Sequence, residues 1–126
     1  MRTKRILIAD DDDSILFALA KFFEAAGWEV DVAQEWEEAE ALLVYRHYDS
    51  VISDLHLSFP GDAHGLDVVG SALARNPQAR IILITGDPSV EVEFEALRLG
   101  ALAVLRKPVG LHELAMMAAL PSRELQ

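Results

Sequence analysis

The apolar run Ile6-Leu7-Ile8-Ala9 stops abruptly at four consecutive aspartates, Asp10 to Asp13, and a helical pattern begins at once with Ser14-Ile15-Leu16-Phe17. Unbroken apolar character of this kind marks a strand buried on both faces, as in a parallel sheet covered by helices. The acids then fall at the strand's C-terminal end, where open α/β sheets place their ligand sites. Carboxylates crowded there repel: two unit charges about 4 Å apart cost about 4 kcal/mol at an effective dielectric near 20. A hard divalent cation relieves that repulsion, and oxygen-only ligation with retained water is what Mg²⁺ prefers. The same residues have a second use, because Asp caps helices and negative charge is favourable in a first turn. Asp12, Asp13 and Ser14 fit that use. The run by itself leaves metal binding and capping both open.

Further along, the pattern repeats. Ile15, Leu16, Leu19, Phe22 and Phe23 recur at helical spacing and Gly27 is a natural stop. Trp28-Glu29-Val30-Asp31-Val32-Ala33 alternates apolar and polar residues, as expected of a sheet-edge strand exposed on one face. Glu35 to Arg46 predicts a helix with Trp36, Ala39, Leu42 and Leu43 on one side. Val51-Ile52-Ser53-Asp54-Leu55 is another short apolar run closed by an acid, followed by a loop and a helix from Gly65 to Arg75. Arg80 to Thr85 reads as a third buried strand, Ser89 to Leu99 as a helix ending at Gly100, Ala101 to Leu105 as the last strand, and Val109 to Leu120 as the last helix. Strands alternating with helices through short connections imply βαβ units, right-handed crossovers and a mostly parallel sheet.

A chain of 126 residues fits one domain. It has no Cys, which removes disulfides, thiolate metal sites and thiol catalysis and is compatible with a reducing cytoplasm. Met1 to Arg5 is basic and precedes an apolar run, but that run is too short for a secretory signal and ends in aspartates. No segment has the length to cross a bilayer. The net charge of −10 argues against direct nucleic-acid binding and favours partners with basic faces.

In a parallel sheet the strand ends share one rim, which would gather Asp10, Asp11, Asp54, Thr85 and Lys107. Each residue has an ordinary use alone: a cap, a strand end, a solvated turn. Together, acids for a cation, a hydroxyl and an ammonium suit a phosphoryl group beside Mg²⁺, with a carboxylate as the accepting nucleophile. Phosphoryl transfer needs mainly positioning and charge neutralisation, so a small constellation suffices.

These markers, Asp10-Asp11, Asp54, Thr85-Gly86 and Lys107-Pro108 at the ends of successive runs, resemble the receiver domain of two-component response regulators. The resemblance covers the chain through Leu120 and leaves residues 121–126 as a short C-terminal tail or truncated linker. It implies a flavodoxin-like (βα)5 sandwich, with five parallel strands in the order 2-1-3-4-5 and helices on both faces. It implies that Asp54 accepts the phosphoryl group, and that Asp11 ligates Mg²⁺ directly, Asp10 through water and His56 through its backbone carbonyl. Lys107 would pair with a phosphate oxygen, the peptide before Pro108 would be cis, and Thr85 would swing to the phosphoryl group. His56 and Asp87 sit where this family tunes phosphate lifetime. The implied partner is a histidine kinase or histidine phosphotransfer protein, and the last two helices and last strand would form a homodimer or docking face. The implied setting is cytoplasmic, and the implied role is a phosphoacceptor rather than an enzyme.

Two departures stand out. Val104 occupies the place where the family usually has Tyr or Phe. Pro60 follows Asp54 by six residues and Gly65 by eleven, about three more than the family's spacing, an insertion that a surface loop absorbs cheaply. They motivate an alternative, a receiver-like interaction module that works without phosphorylation, against which the intact acids argue. A phosphatase with an aspartyl intermediate is the third reading. Asp54-Leu55-His56 lacks the second aspartate that haloacid-dehalogenase chemistry requires. His47, His64 and His112 show no ligand spacing and are expected at the surface.

Overall fold

The computed structural model describes residues 2–58 and 61–120, so residues 121–126 lie outside it, as do Phe59 and Pro60 of the long loop. Its elements alternate as β1 (Arg5–Ala9), α1 (Asp13–Ala25), β2 (Glu29–Ala33), α2 (Trp36–Tyr45), β3 (Ser50–Asp54), α3 (His64–Arg75), β4 (Arg80–Thr85), α4 (Val90–Leu99), β5 (Ala103–Arg106) and α5 (Leu111–Ala118). The five strands pair in parallel in the order β2-β1-β3-β4-β5. The expected α/β sandwich is therefore the fold observed.

Strand periodicity sorts the apolar residues into two cores. Leu7, Ala9, Val51, Ile81 and Leu83 face one way and pack with Ala39 and Leu43 of α2, Val68, Val69 and Ala72 of α3, and Ala96 of α4. Ile6, Ile8, Ile52, Ile82 and Ile84 face the other way, onto Leu16, Leu19 and Phe23 of α1 and Leu114 and Ala118 of α5. The central strands β3 and β4 are buried along their whole length, which is why their sequences carry no polar alternation.

Local chemistry sets the element ends. Asp12 caps α1, its carboxylate accepting from the Ser14 amide at 2.8 Å and the Ile15 amide at 3.3 Å. Ser89 caps α4 through the Val92 amide, and Gly100 closes that helix in the left-handed region at φ 108°. The closure explains one shift from expectation. Ala101 still bonds back to the Ala96 carbonyl, so β5 starts at Ala103 rather than Ala101 and runs through Arg106. The Trp28 amide likewise bonds to the Phe23 carbonyl at the end of α1, and β2 begins one residue later than predicted. The last helix is shorter at both ends than Val109 to Leu120, with Gly110 extended at its N-cap.

β2 is an edge strand, as its pattern predicts, but its faces are not cleanly divided. Val32 is 43% exposed, while Asp31 is half-buried and accepts the Tyr48 hydroxyl at 2.7 Å. A buried Tyr needs a partner for its hydroxyl, and Asp31 supplies it. His47 and His112 are exposed as expected; His64 is half-buried, its ring stacked on Trp36 with an interplanar angle of 4°.

One contact fixes where α3 meets the sheet. A Cβ built on Gly65 would lie 2.3 Å from the Asp54 carbonyl oxygen and 2.6 Å from the Leu55 Cα, both backbone atoms. Only glycine allows this approach. Alanine would gain about 1 kcal/mol of helix propensity and lose more to overpacking against a backbone that cannot yield. Gly65→Ala is expected to lower unfolding stability by about 3 kcal/mol, measured by urea denaturation; an unchanged or raised midpoint would refute the close packing.

Candidate functional site

The parallel order places the C-terminal ends of β1, β3, β4 and β5 along one rim. Asp10 follows β1 and is held to β2 by its amide bond to the Ala33 carbonyl. Asp54 ends β3, and its register partner on β4 is Ile84, next to Thr85. Lys107 follows β5, with its amide bonded to the Thr85 carbonyl and a cis peptide to Pro108. Backbone hydrogen bonds thus set the spacing of groups that lie far apart in sequence.

The side chains converge. Lys107 Nζ stands 3.0 Å from Asp10 Oδ2 and 3.0 Å from Asp54 Oδ2, donating to both. Asp10, Asp11 and Asp54 each offer one carboxylate oxygen, all within 4.8 Å of one another. Asp10 is fully buried, Asp54 is 6% exposed and Asp11 is open to solvent. Asp10's other oxygen accepts the Asp12 amide at 2.9 Å, so both of its oxygens already have partners. Asp11 is the acid left most accessible from outside.

Three carboxylates and one ammonium leave two negative charges unbalanced, which suits a divalent ion. Ligand oxygens on opposite sides of a Mg²⁺-sized ion are about 4.2 Å apart, so the observed cluster needs only small side-chain shifts to fit a hard divalent cation. Burial raises the Asp10 pKa, and the nearby Asp54 charge adds to that, against the Asp12 amide and Lys107 bonds that lower it. Burial works against the Lys107 ammonium, but its bonds to Asp10 and Asp54 outweigh this and its pKa is raised.

Thr85 is fully buried at the same rim, and its hydroxyl oxygen accepts the Asp87 amide at 3.1 Å. It belongs to the constellation by position, without a bond to the acids. The His56 amide points at Asp54 Oδ1 from 3.4 Å, and the His56 ring Nδ1 meets the Asp62 carbonyl oxygen. Asp62 itself was not legible as a site neighbour. It is 6% exposed, and its carboxylate accepts the amides of Leu57, Ser58 and His64. The only sequence signal was an Asp in a Gly-containing loop, which ordinarily means a solvated turn.

A family model for the response regulator receiver domain matches residues 6–119. The chain belongs to this family. Among curated relatives of the receiver, the acid tolerance regulatory protein ActR of Sinorhizobium medicae is 36% identical over 120 residues, covering 95% of this chain and 59% of that protein. The photosynthetic apparatus regulatory protein RegA of Cereibacter sphaeroides is 34% identical over 110 residues, 87% of this chain and 58% of its own length. The receiver therefore spans well under two thirds of the relatives it matches. A response regulator from Burkholderia pseudomallei, crystallised with a phosphorylated aspartic acid, a calcium ion and citrate, superposes with a TM-score of 0.84 at 28% identity, covering 98% of this chain and 71% of that one.

Because its pKa is raised, Asp10 is held protonated more tightly by the folded receiver than by the unfolded chain. Its ionisation therefore subtracts stability as pH rises through the folded pKa. Asp10→Asn is expected to raise the Tm of the metal-free protein at neutral pH, because it removes the ionisation that burial opposes. The gain should shrink as pH falls through the raised Asp10 pKa toward the ordinary carboxylate value. Calorimetry across pH checks this, and a lower Tm for the variant at neutral pH would contradict it.

Proposed function

We propose that this receiver is a signalling switch that accepts a phosphoryl group on Asp54 from the phosphohistidine of a histidine kinase or phosphotransfer protein, with Mg²⁺ bound at Asp11, Asp54, the His56 carbonyl and, through water, Asp10. The observation that carries this reading is Lys107 Nζ at 3.0 Å from both Asp54 and Asp10. An Asp54 oxygen forms the new P–O bond as the P–N bond of the phosphohistidine breaks, and the electron pair stays on the imidazole nitrogen. The bound cation supplies charge neutralisation for the phosphoryl oxygens. Lys107, already beside Asp54, transfers one of its hydrogen bonds to a phosphoryl oxygen. Thr85 gives up the Asp87 amide and turns its hydroxyl to the same group. Water later breaks the P–O bond and restores Asp54, so the protein is a phosphoacceptor rather than an enzyme acting on an outside substrate.

An apolar cavity of about 440 Å³ between α1 and α5, bordered by Ile15, Leu19, Pro108 and Lys107, opens beside the site and suits an apolar side chain of the phosphodonor. No helix among the described residues is long and apolar enough to cross a membrane, which accords with a cytoplasmic setting. With a net charge of −10 the receiver does not itself contact nucleic acid; such contact in a full-length regulator would fall to other residues. The intact acids weigh against the phosphorylation-independent alternative.

Incubation with phosphoramidate and Mg²⁺ should add the mass of one phosphoryl group, and Asp54→Asn should add none. No gain in the wild type, or a gain that persists in Asp54→Asn, would end the proposal.

Val90, Phe94 and Leu97 are 83%, 68% and 47% exposed along one face of α4. A solvent-facing apolar stripe at helical spacing supports a docking face for a second copy on α4, β5 and α5. Light scattering with beryllofluoride should show a mass increase that Phe94→Glu removes; a wild type that stays monomeric at high concentration would rule the dimer out.

A further inference from the structure

We propose that Asp62 is a positioning residue for the phosphorylation site, holding the β3–α3 loop so that His56 stays fixed against Asp54. This rests on the reading of Asp54 as the phosphoacceptor. A carboxylate that is 6% exposed is costly unless its lone pairs are used. Asp62 uses them on backbone amides from both ends of one loop: Leu57 at 3.1 Å and Ser58 at 2.8 Å just after β3, and His64 at 2.9 Å at the start of α3. Hydrogen bonds to an ionised acceptor are among the stronger ones. One side chain thereby ties the departing strand to the arriving helix.

The backbone of Asp62 reaches further toward the site. Its carbonyl oxygen meets His56 Nδ1, and since a carbonyl only accepts, Nδ1 carries the hydrogen. The His56 ring is thus held from the loop side while the His56 amide faces Asp54 Oδ1 at 3.4 Å. The clamp answers the length of this loop. Each added residue widens the conformations open to the chain between Asp54 and Gly65, and His56 is the residue whose carbonyl is proposed to face the cation. Gly65, pressed on the Asp54 carbonyl, pins the far end. Groups that orient a ligand through its neighbours typically change metal affinity by about tenfold or more when removed.

A role confined to capping α3 would involve the His64 amide alone and leave the site unchanged, so the measurements are chosen to separate the two. Titration of the metal-free protein with Mg²⁺ alone, followed by calorimetry or amide NMR shifts, should give an affinity about tenfold weaker in Asp62→Ala. Asp62→Asn keeps one accepting oxygen and should fall between that variant and the wild type. In the wild type itself, hydrogen exchange should show the Leu57, Ser58 and His64 amides protected, and ring ¹⁵N shifts should place the His56 hydrogen on Nδ1. Unchanged Mg²⁺ affinity in a folded Asp62→Ala overturns the proposal. So does rapid exchange at those amides in the wild type, a measurement that stands even where the alanine variant does not fold. Failure of Asp54 to take a phosphoryl group from phosphoramidate would instead strike the reading of the site, leaving the exchange and Mg²⁺ results on Asp62 intact.

Discussion

The ammonium of Lys107 between the carboxylates of Asp10 and Asp54 is the interaction around which this structure is arranged. A fully buried Asp10 next to a nearly buried Asp54 is an unfavourable pair in any fold that stops there. Lys107 offsets part of that cost, and part remains: burial, with a smaller contribution from the Asp54 charge, holds the Asp10 pKa above the ordinary carboxylate value. Under the proposed function, the remaining imbalance would make the site responsive, because a cation or a phosphoryl group entering it would change interactions that are already strong. A site with every charge matched would have no such reason to reorganise.

Bringing Lys107 to Asp10 requires the topology. The chain positions differ by 97 residues; the parallel pairing sets the strand ends on one rim, and the order β2-β1-β3-β4-β5 places Asp54 of β3 between the ends of β1 and β5. The crossovers that build that order put helices on both faces, and the two apolar cores follow from strand alternation against them. Residues that point to one core are separated by a single position from residues that point to the other, so the interiors of these strands, Ile6 to Ala9 in β1, Val51-Ile52 in β3 and Ile81 to Ile84 in β4, are apolar on both faces. The same demand that makes these strands easy to recognise makes their terminating acids conspicuous.

That is why so much of the site was readable from the chain alone. An acid or a lysine that closes a buried apolar run has few other places to be, and Asp10, Asp11, Asp54 and Lys107 come together as their positions suggested. Thr85 reached the rim, but the bond of its hydroxyl to the Asp87 amide depends on a turn that no periodicity specifies. Asp62 escaped notice for a related reason: an aspartate in a loop has no periodic neighbours, and its burial arises only when the loop folds back over it. Asp31 shows the same limit in a strand, where a partner from the segment before β3, Tyr48, turned a nominally outward residue inward. Pattern reads the direction of a side chain along its own element. It does not read what another element brings to it.

The distribution of burial also bears on how a change at the rim would spread. α4 has one buried residue, Ala96, fewer than any other helix, while α3 has four. Elements with little buried apolar contact are the ones that move at low cost. α4 is joined to Thr85 by the short Gly86-Asp87-Pro88-Ser89 segment, and the Thr85 hydroxyl holds the Asp87 amide at its start. Val104 on β5 packs against the core beneath α4 and has no ring to turn. Under the proposed function, a withdrawal of the Thr85 hydroxyl would therefore act first on the backbone leading into α4, without an aromatic intermediary. The departure at Val104 is consistent with a switch that runs through main-chain hydrogen bonds into the least anchored helix of the fold.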